Sequence, residues 1–310
     1  MQAILIALTG WFLFTLMDAC TKSLSNDYPS AQLIGTSAVV GTILSGGWIL
    51  YRHGLKGFKT SNWKLFLLRG LMVIPISYLI VTALADITLA DFYGVIFMMP
   101  FFVTILSAVV LKERVGPHRI IALIAGFIGV IILAGPHLQS EPKALLMVFI
   151  ATIMSSIVTI LIRKIGREPV TTLFAFAPFA ANAVVYGPLM LMPDNFIIPQ
   201  NSADLLAFSL LGFLGFGGFI FYSLGYTRAS ETAIIAPFHY SQMLWGVILG
   251  YILFKDIPEL STLQGSAIIL GAGLYLLWCE YVHHKISHSA SATLTPAGTL
   301  VPAEELVAKE

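Results

Sequence analysis

Asp18 and His239 stand inside long apolar stretches of this 310-residue chain. A charged side chain in such a stretch costs about 2.5–3.5 kcal/mol on insertion scales, so it ordinarily faces an interior cavity. Trp11, Phe14 and Asp18 share one helical face by their three-and-four spacing. A carboxylate placed there suits a gate, a contact for a cationic solute group, or a protonatable coupling site. The competing reading pairs Asp18 with Lys22 one turn later, in the favourable acid-before-base order. Glu231 completes the gating or coupling set with Asp18 and Lys22. It lies three residues from Arg228, where an ion pair closing that helix end is the simpler reading. His239, Gln242 and Gly246 share a second face, and Pro237 just before them breaks the backbone ladder and frees carbonyl groups. The imidazole titration range permits proton sensing, and a neutral packing histidine fits the same pattern.

Aromatic residues supply the second signal. Tyr93, Phe97 and Phe101 recur every four residues, as do Tyr222 and Tyr226, and Asn182 pairs with Tyr186 at the same spacing. With Tyr78 and the polar stripe Ser155, Thr159 and Arg163, these faces suit a cavity for a planar or amphiphilic organic solute. Lipid-facing or packing aromatics produce the same periodicity. The expected substrate-binding set is therefore Trp11, Asp18, Tyr78, Tyr93, Phe97, Ser155, Asn182, Tyr186, Tyr222, His239 and Gln242. No metal or cofactor is expected. Cys20 and Cys279 are too scattered for a thiolate site, and His283, His284 and His288 are too loosely placed. Zinc-helix motifs, a nucleophile elbow, a P-loop and paired catalytic carboxylates are all missing, which excludes ATP-driven chemistry by this chain and argues against an enzyme. The runs Gly212–Gly218 and Gly271–Gly273 read as close backbone approach between helices.

The elements that position these residues follow from composition. Hydrophobic residues make up 57% of the chain and charged residues 11%, against about 25% charged in a soluble domain. The net charge of +1 offers nothing to nucleic acid. A bilayer core needs roughly 20 apolar residues per helix, and ten stretches qualify. They are Gln2–Thr21, Ala31–Tyr51, Trp63–Ala83, Ala90–Leu111, His118–Gly135, Ala144–Arg163, Val170–Met192, Ala203–Tyr226, Thr232–Phe254 and Leu263–Val282. The first lacks the basic start and cleavage site of a signal peptide. The polar residues 284–310 read as a disordered cytoplasmic tail. With both termini cytoplasmic, thirteen Lys and Arg fall on the cytoplasmic side, Arg69 among them, against three outside (Lys22, Lys143 and Lys255).

The chain also resembles itself. At an offset near 140 residues Thr21-Lys22 lies over Arg163-Lys164, Tyr28-Pro29 over Glu168-Pro169, and Leu111-Lys112-Glu113 over Phe254-Lys255-Asp256. The expected organisation is one five-helix repeat over 1–140, a second over 141–283, then the tail. An odd helix number turns the second repeat over, the inverted build of many secondary transporters. The fold class is thus all-α membrane protein with ten transmembrane helices in two inverted five-helix repeats.

The run Ala90-Asp91-Phe92-Tyr93 to Pro100, the turn Leu111-Lys112-Glu113-Arg114 and the spaced Gly126 and Gly129 resemble the EamA-type family of the drug/metabolite transporter superfamily. The second half departs from that pattern, with Asp256 where Glu is usual and Pro237 earlier in its helix than Pro100. The resemblance implies a central cavity lined by helices one to four and six to nine, with five and ten at the periphery. The Ala-Asp-Phe-Tyr start is similar to the branch of S-adenosylmethionine, riboflavin and opine-type metallophore carriers.

The expected function is secondary active transport of a small organic metabolite by alternating access, in the direction of export, across a bacterial inner membrane. Uptake or exchange of an S-adenosylmethionine- or riboflavin-like metabolite is the alternative. A non-transporting scaffold or lipid-handling protein is the competing class. The expected partners are the metabolite and the bilayer, and the sequence leaves association as a homodimer open.

Overall fold

A computed structural model of the protein describes residues 2–110, 117–134, 141–166, 168–228, 239, 241–255, 257, 259–290, 292–294 and 300–302. Glu231, Pro237, Asp256 and the Lys112-Glu113-Arg114 turn lie outside them. The described chain forms the helices α1 (Gln2–Ser25), α2 (Ser30–His53), α3 (Trp63–Asp86), α4 (Leu89–Ile96), α5 (Met99–Val110) and α6 (Pro117–Ala134). There follow α7 (Pro142–Ile165), α8 (Leu173–Met190), α9 (Ser202–Arg228), α10 (Ser241–Leu249), continued by a π-turn at Gly250–Phe254, and α11 (Leu260–Ala290). Helix α11 runs on to Ala290. Two three-residue strands, Ala292–Leu294 and Leu300–Pro302, then pair antiparallel.

Six segments are long and apolar enough to cross a membrane: Leu5–Ser25, Ser30–Phe58, Trp63–Asp86, Pro142–Ile165, Leu173–Met190 and Ser202–Gly225. Four shorter apolar segments, Asp91–Val103, Ile120–Gly129, Trp245–Phe254 and Leu260–Ala272, accompany them. Leu67, Leu71, Ile124, Ile131, Phe213 and Trp278 are exposed on their outer faces. An apolar surface on that scale belongs against lipid, and the protein is an integral, multi-pass membrane protein.

Polar residues are accommodated inside these helices by back-bonding to the preceding turn. The hydroxyls of Thr15, Ser45, Thr152 and Ser156 donate to the carbonyls of Trp11, Gly41, Val148 and Thr152 at 2.6–3.0 Å. The fourth apolar stretch is divided at Phe97 and Met98, where α4 ends and α5 begins. Pro100 supplies no N–H for the Ile96 carbonyl, which is a sufficient cause for the break. At its start α4 is capped by Thr88, whose hydroxyl accepts from the Asp91 N–H at 3.1 Å. Asp91 in turn accepts from the hydroxyls of Thr88 and Thr262, at 2.6 and 2.8 Å, and so fastens α4 to α11.

The most extensive packing is between α1 and α9, then α2 and α8, α6 and α11, and α3 and α7. Small residues bring α1 against α9: a Cβ added to Gly10 would lie 2.6 Å from the Tyr222 backbone nitrogen. Gly215 and Gly218 meet Met17 and Phe14 in the same seam. In the second glycine run, a Cβ on Gly271 would meet nothing within 4 Å. Polar ties join the two halves at both ends of the bundle. Gln32 exchanges two hydrogen bonds with the Ile197 backbone at 2.7 and 2.9 Å. Tyr28 donates to Asp204 at 2.7 Å, and Thr60 and Asn62 donate to Glu168 at 2.9 and 2.8 Å.

Candidate functional site

Between the packed helix pairs lies a cavity of about 280 Å³. Its lining comes from α1, α2, α3, α4, the first residue of α5, α7, α8, α9, His239 and Gln242 of α10. No lining residue comes from α6 or α11, which pack against each other. The walls are mostly apolar and aromatic, with Trp11, Phe14, Phe92, Tyr93, Phe179, Phe219 and Tyr222 around a few polar groups.

One cluster of these groups centres on Asp18. The side chain is 9% exposed and accepts a hydrogen bond from the Tyr93 hydroxyl at 2.7 Å. Lys22 does not pair with it, as the simpler sequence reading had proposed. The Lys22 ammonium instead donates to the Ile87 carbonyl at 2.7 Å, tying the end of α1 to the residue after α3, and lies 5.5 Å from the centre of the Phe254 ring. Asp18 therefore keeps its remaining acceptor capacity within the cavity. Above it, Trp11 stacks on His239 with ring centres 5.5 Å apart and planes 10° from parallel, and Tyr222 meets Trp11 edge-on at 6.3 Å. Gln242 lines the same cavity three residues after His239.

A second cluster lies between α3, α8 and α9. Asn182 donates to Ser77 at 2.7 Å, and its Oδ1 is buried without a hydrogen-bond partner. Arg69, assigned by the charge pattern to the cytoplasmic surface, is 1% exposed and lines the cavity. Its Nη1 donates to the Phe174 carbonyl. The guanidinium lies 5.9 and 5.8 Å from the centres of the Phe174 and Phe219 rings. Sequence reasoning missed this residue as a cavity group, and the only hint was its position seven residues into a span.

Of the expected binding residues, Trp11, Asp18, Tyr93, Ser155, Asn182, Tyr222, His239 and Gln242 lie together around the cavity. Three lie elsewhere. Tyr78 is 46% exposed on the outer surface of α3. Phe97 is fully buried behind the wall, 6.2 Å from both Tyr93 and His239. Tyr186 donates to the Ile74 carbonyl at 3.0 Å and joins α8 to α3. Glu231 of the gating set is among the residues not described. Among the described residues no cluster of metal-ligating side chains occurs.

Fold and cavity together define a helical membrane protein with a buried pocket, carrying charges of both signs, at the meeting point of most of its helices. The chain belongs to the EamA-like transporter family, whose pattern matches residues 1–135 and again 142–278. It is a membrane transporter of that family. It is similar to the S-adenosylmethionine uptake transporter of Rickettsia felis, with 25% identity over 277 residues, 87% of this chain and 92% of that one. It is also similar to the pseudopaline exporter of Pseudomonas aeruginosa, with 24% identity over 276 residues, 89% and 95% of the two chains. A crystal structure of a protein sharing 18% identity superposes with a TM-score of 0.69 over 92% of this chain and 98% of that one.

Proposed function

We propose that this chain is a secondary active carrier that exports a small organic metabolite across a bacterial inner membrane by alternating access. The observation that carries the reading is the cavity itself. It is membrane-embedded and aromatic, holds Asp18, and is lined from eight of the ten apolar stretches of the sequence. The six long and four short segments support ten crossings. The reciprocal packing of α1 with α9 and α7 with α3, beside α2 with α8 and α6 with α11, supports two inverted five-helix repeats. So do the two stretches matched by the family pattern. In such a build the solute site sits at the repeat interface, and rocking of the repeats exposes it to either side in turn. Asp18, Trp11, Tyr93, Tyr222, His239 and Gln242 contact the solute in this reading. Lys22 closes the end of α1 against α3. Both termini are cytoplasmic by the charge distribution of the loops, and the chain performs no enzymatic step.

The similarity to the R. felis protein favours a second reading, uptake or exchange of an S-adenosylmethionine-like metabolite through the same cavity. Proteoliposomes holding only this protein test both. Saturable movement of S-adenosylmethionine, an amino acid, a flavin or a nucleoside is expected, and Asp18→Asn is expected to abolish it at unchanged protein abundance. Undiminished transport by Asp18→Asn removes that residue from the mechanism, and the absence of any saturable flux refutes the carrier reading.

A further inference from the structure

A guanidinium buried in a membrane protein is costly unless something compensates its charge. Arg69 begins about 9 Å along α3 from Trp63 at 1.5 Å per residue, and it does not reach back to the surface, being 1% exposed. What surrounds it is neutral. Nη1 is taken by the Phe174 carbonyl, two aromatic rings flank the plane, and Nε is buried with no hydrogen-bond partner. The nearest acidic side chain lining the cavity, Asp18, is engaged by Tyr93 rather than by Arg69.

The unused edge of the guanidinium has a definite chemistry. With Nη1 committed to a carbonyl, the parallel N–H groups of Nε and Nη2 remain, and that edge grips a carboxylate side-on through two hydrogen bonds. The Phe174 carbonyl and the rings of Phe174 and Phe219 hold the plane in place. Between the two charged groups the wall is aromatic: Phe219 lies 5.1 Å from Phe14, and Phe14 stands one helical turn before Asp18. Asp18, on α1, offers an acceptor with one oxygen uncommitted.

We propose that Arg69 is the carboxylate-binding residue of the cavity and that the transported solute is an organic zwitterion. Its carboxylate sits on Arg69, its cationic group at Asp18, and its apolar or aromatic body against Phe14 and Phe219. The proposal rests on the carrier reading above and adds the substrate class to it.

Matched pairs of ligands that differ only by the carboxylate test it: S-adenosylmethionine against its decarboxylated form, arginine against agmatine, tryptophan against tryptamine, with adenosine as an uncharged member. Binding is measured on the purified full chain by ligand-induced thermal stabilisation and titration, and flux in proteoliposomes. At least one zwitterion is expected to bind about 10- to 100-fold more tightly than its decarboxylated partner, the loss of a charge-assisted interaction. Arg69→Met is expected to erase that difference by weakening the zwitterion alone, and Arg69→Lys, which keeps the charge but loses the fork, to restore part of it. The affinity of the amine in the same variants reports whether the rest of the cavity is intact. If amines or adenosine bind and move as well as the zwitterions, or if Arg69→Met preserves the preference, the zwitterion site is refuted and the carrier reading stands. If no member of the panel binds or moves, both readings fall.

Discussion

Tyr93→Phe isolates one hydrogen bond at the centre of the molecule. Tyr93 is 1% exposed, and its hydroxyl lies 2.7 Å from Oδ2 of Asp18. The ring itself is held independently, by Phe92 at 5.2 Å and Phe97 at 6.2 Å and by the bare face of Gly246, where an added Cβ would lie 2.3 Å from the ring. Removing the oxygen should therefore leave the packing in place. A hydrogen bond to an ionised group contributes about 1.5–3 kcal/mol, and one between neutral groups about 0.5–1.5 kcal/mol. Combining Tyr93→Phe with Asp18→Ala, which removes the acceptor, in a double-mutant cycle followed by reversible unfolding in mixed micelles yields the coupling between the two side chains. A coupling of about 1.5–3 kcal/mol is expected if the aspartate is held as the anion that a cationic solute group would need. A value near 1 kcal/mol would mean that it is held neutral, and would count against a cation contact. Additivity within about 0.3 kcal/mol would refute the hydrogen bond altogether.

Gly10→Ala should destabilise the α1–α9 seam by about 1–3 kcal/mol through overpacking, because the new Cβ would lie 2.6 Å from the Tyr222 backbone nitrogen. Gly271→Ala, where nothing lies within 4 Å, should cost nothing in the same unfolding assay, and equal effects would refute the close approach. Thr88→Ala should cost about 1 kcal/mol by removing the cap of α4, and a neutral result would show that Asp91 holds that helix end without it. Lys22→Met should loosen the end of α1 from Ile87 and speed maleimide labelling of the half-buried Cys20 by about fivefold for each kcal/mol lost. An unchanged rate would mean that this contact does not close the cavity.

The membrane character of the chain and the placing of Asp18 in a cavity were legible in the sequence because both are signals of composition. Twenty apolar residues exclude other solvents, and a lone carboxylate among them demands a reason. Periodicity was less informative, since it groups residues on a face without saying what that face meets. Tyr186 shares a face with Asn182, yet its hydroxyl ends on the Ile74 carbonyl, in the seam between α8 and α3. Phe97 keeps helical phase with Tyr93, its N–H donating to the Tyr93 carbonyl at 2.9 Å, yet its ring is fully buried and does not line the cavity. Tyr78 faces outward on α3. Arg69 was hidden for a different reason. An arginine near a span end ordinarily snorkels to the interface, and its burial depends on Phe174 and Phe219, more than a hundred residues further on.

The way the two cavity charges are held bears on how such a site can work. Had Asp18 and Arg69 faced each other, they would have formed a buried ion pair, and a solute would have had to break it, at a cost of about 3–5 kcal/mol when one partner is left uncompensated. Instead each is fixed by a neutral partner, Tyr93 on one side and the Phe174 carbonyl on the other. These bonds set the orientation of each group without consuming its charge. Aromatic rings, Phe14 and Phe219 among them, lie in the wall between the two groups, and such a wall lowers the local dielectric. An occupant that brings both missing charges would satisfy both groups at once, whereas one bringing a single charge leaves the other exposed in the membrane. Selectivity for bipolar solutes would then arise less from attraction than from the free energy of the site left half-filled.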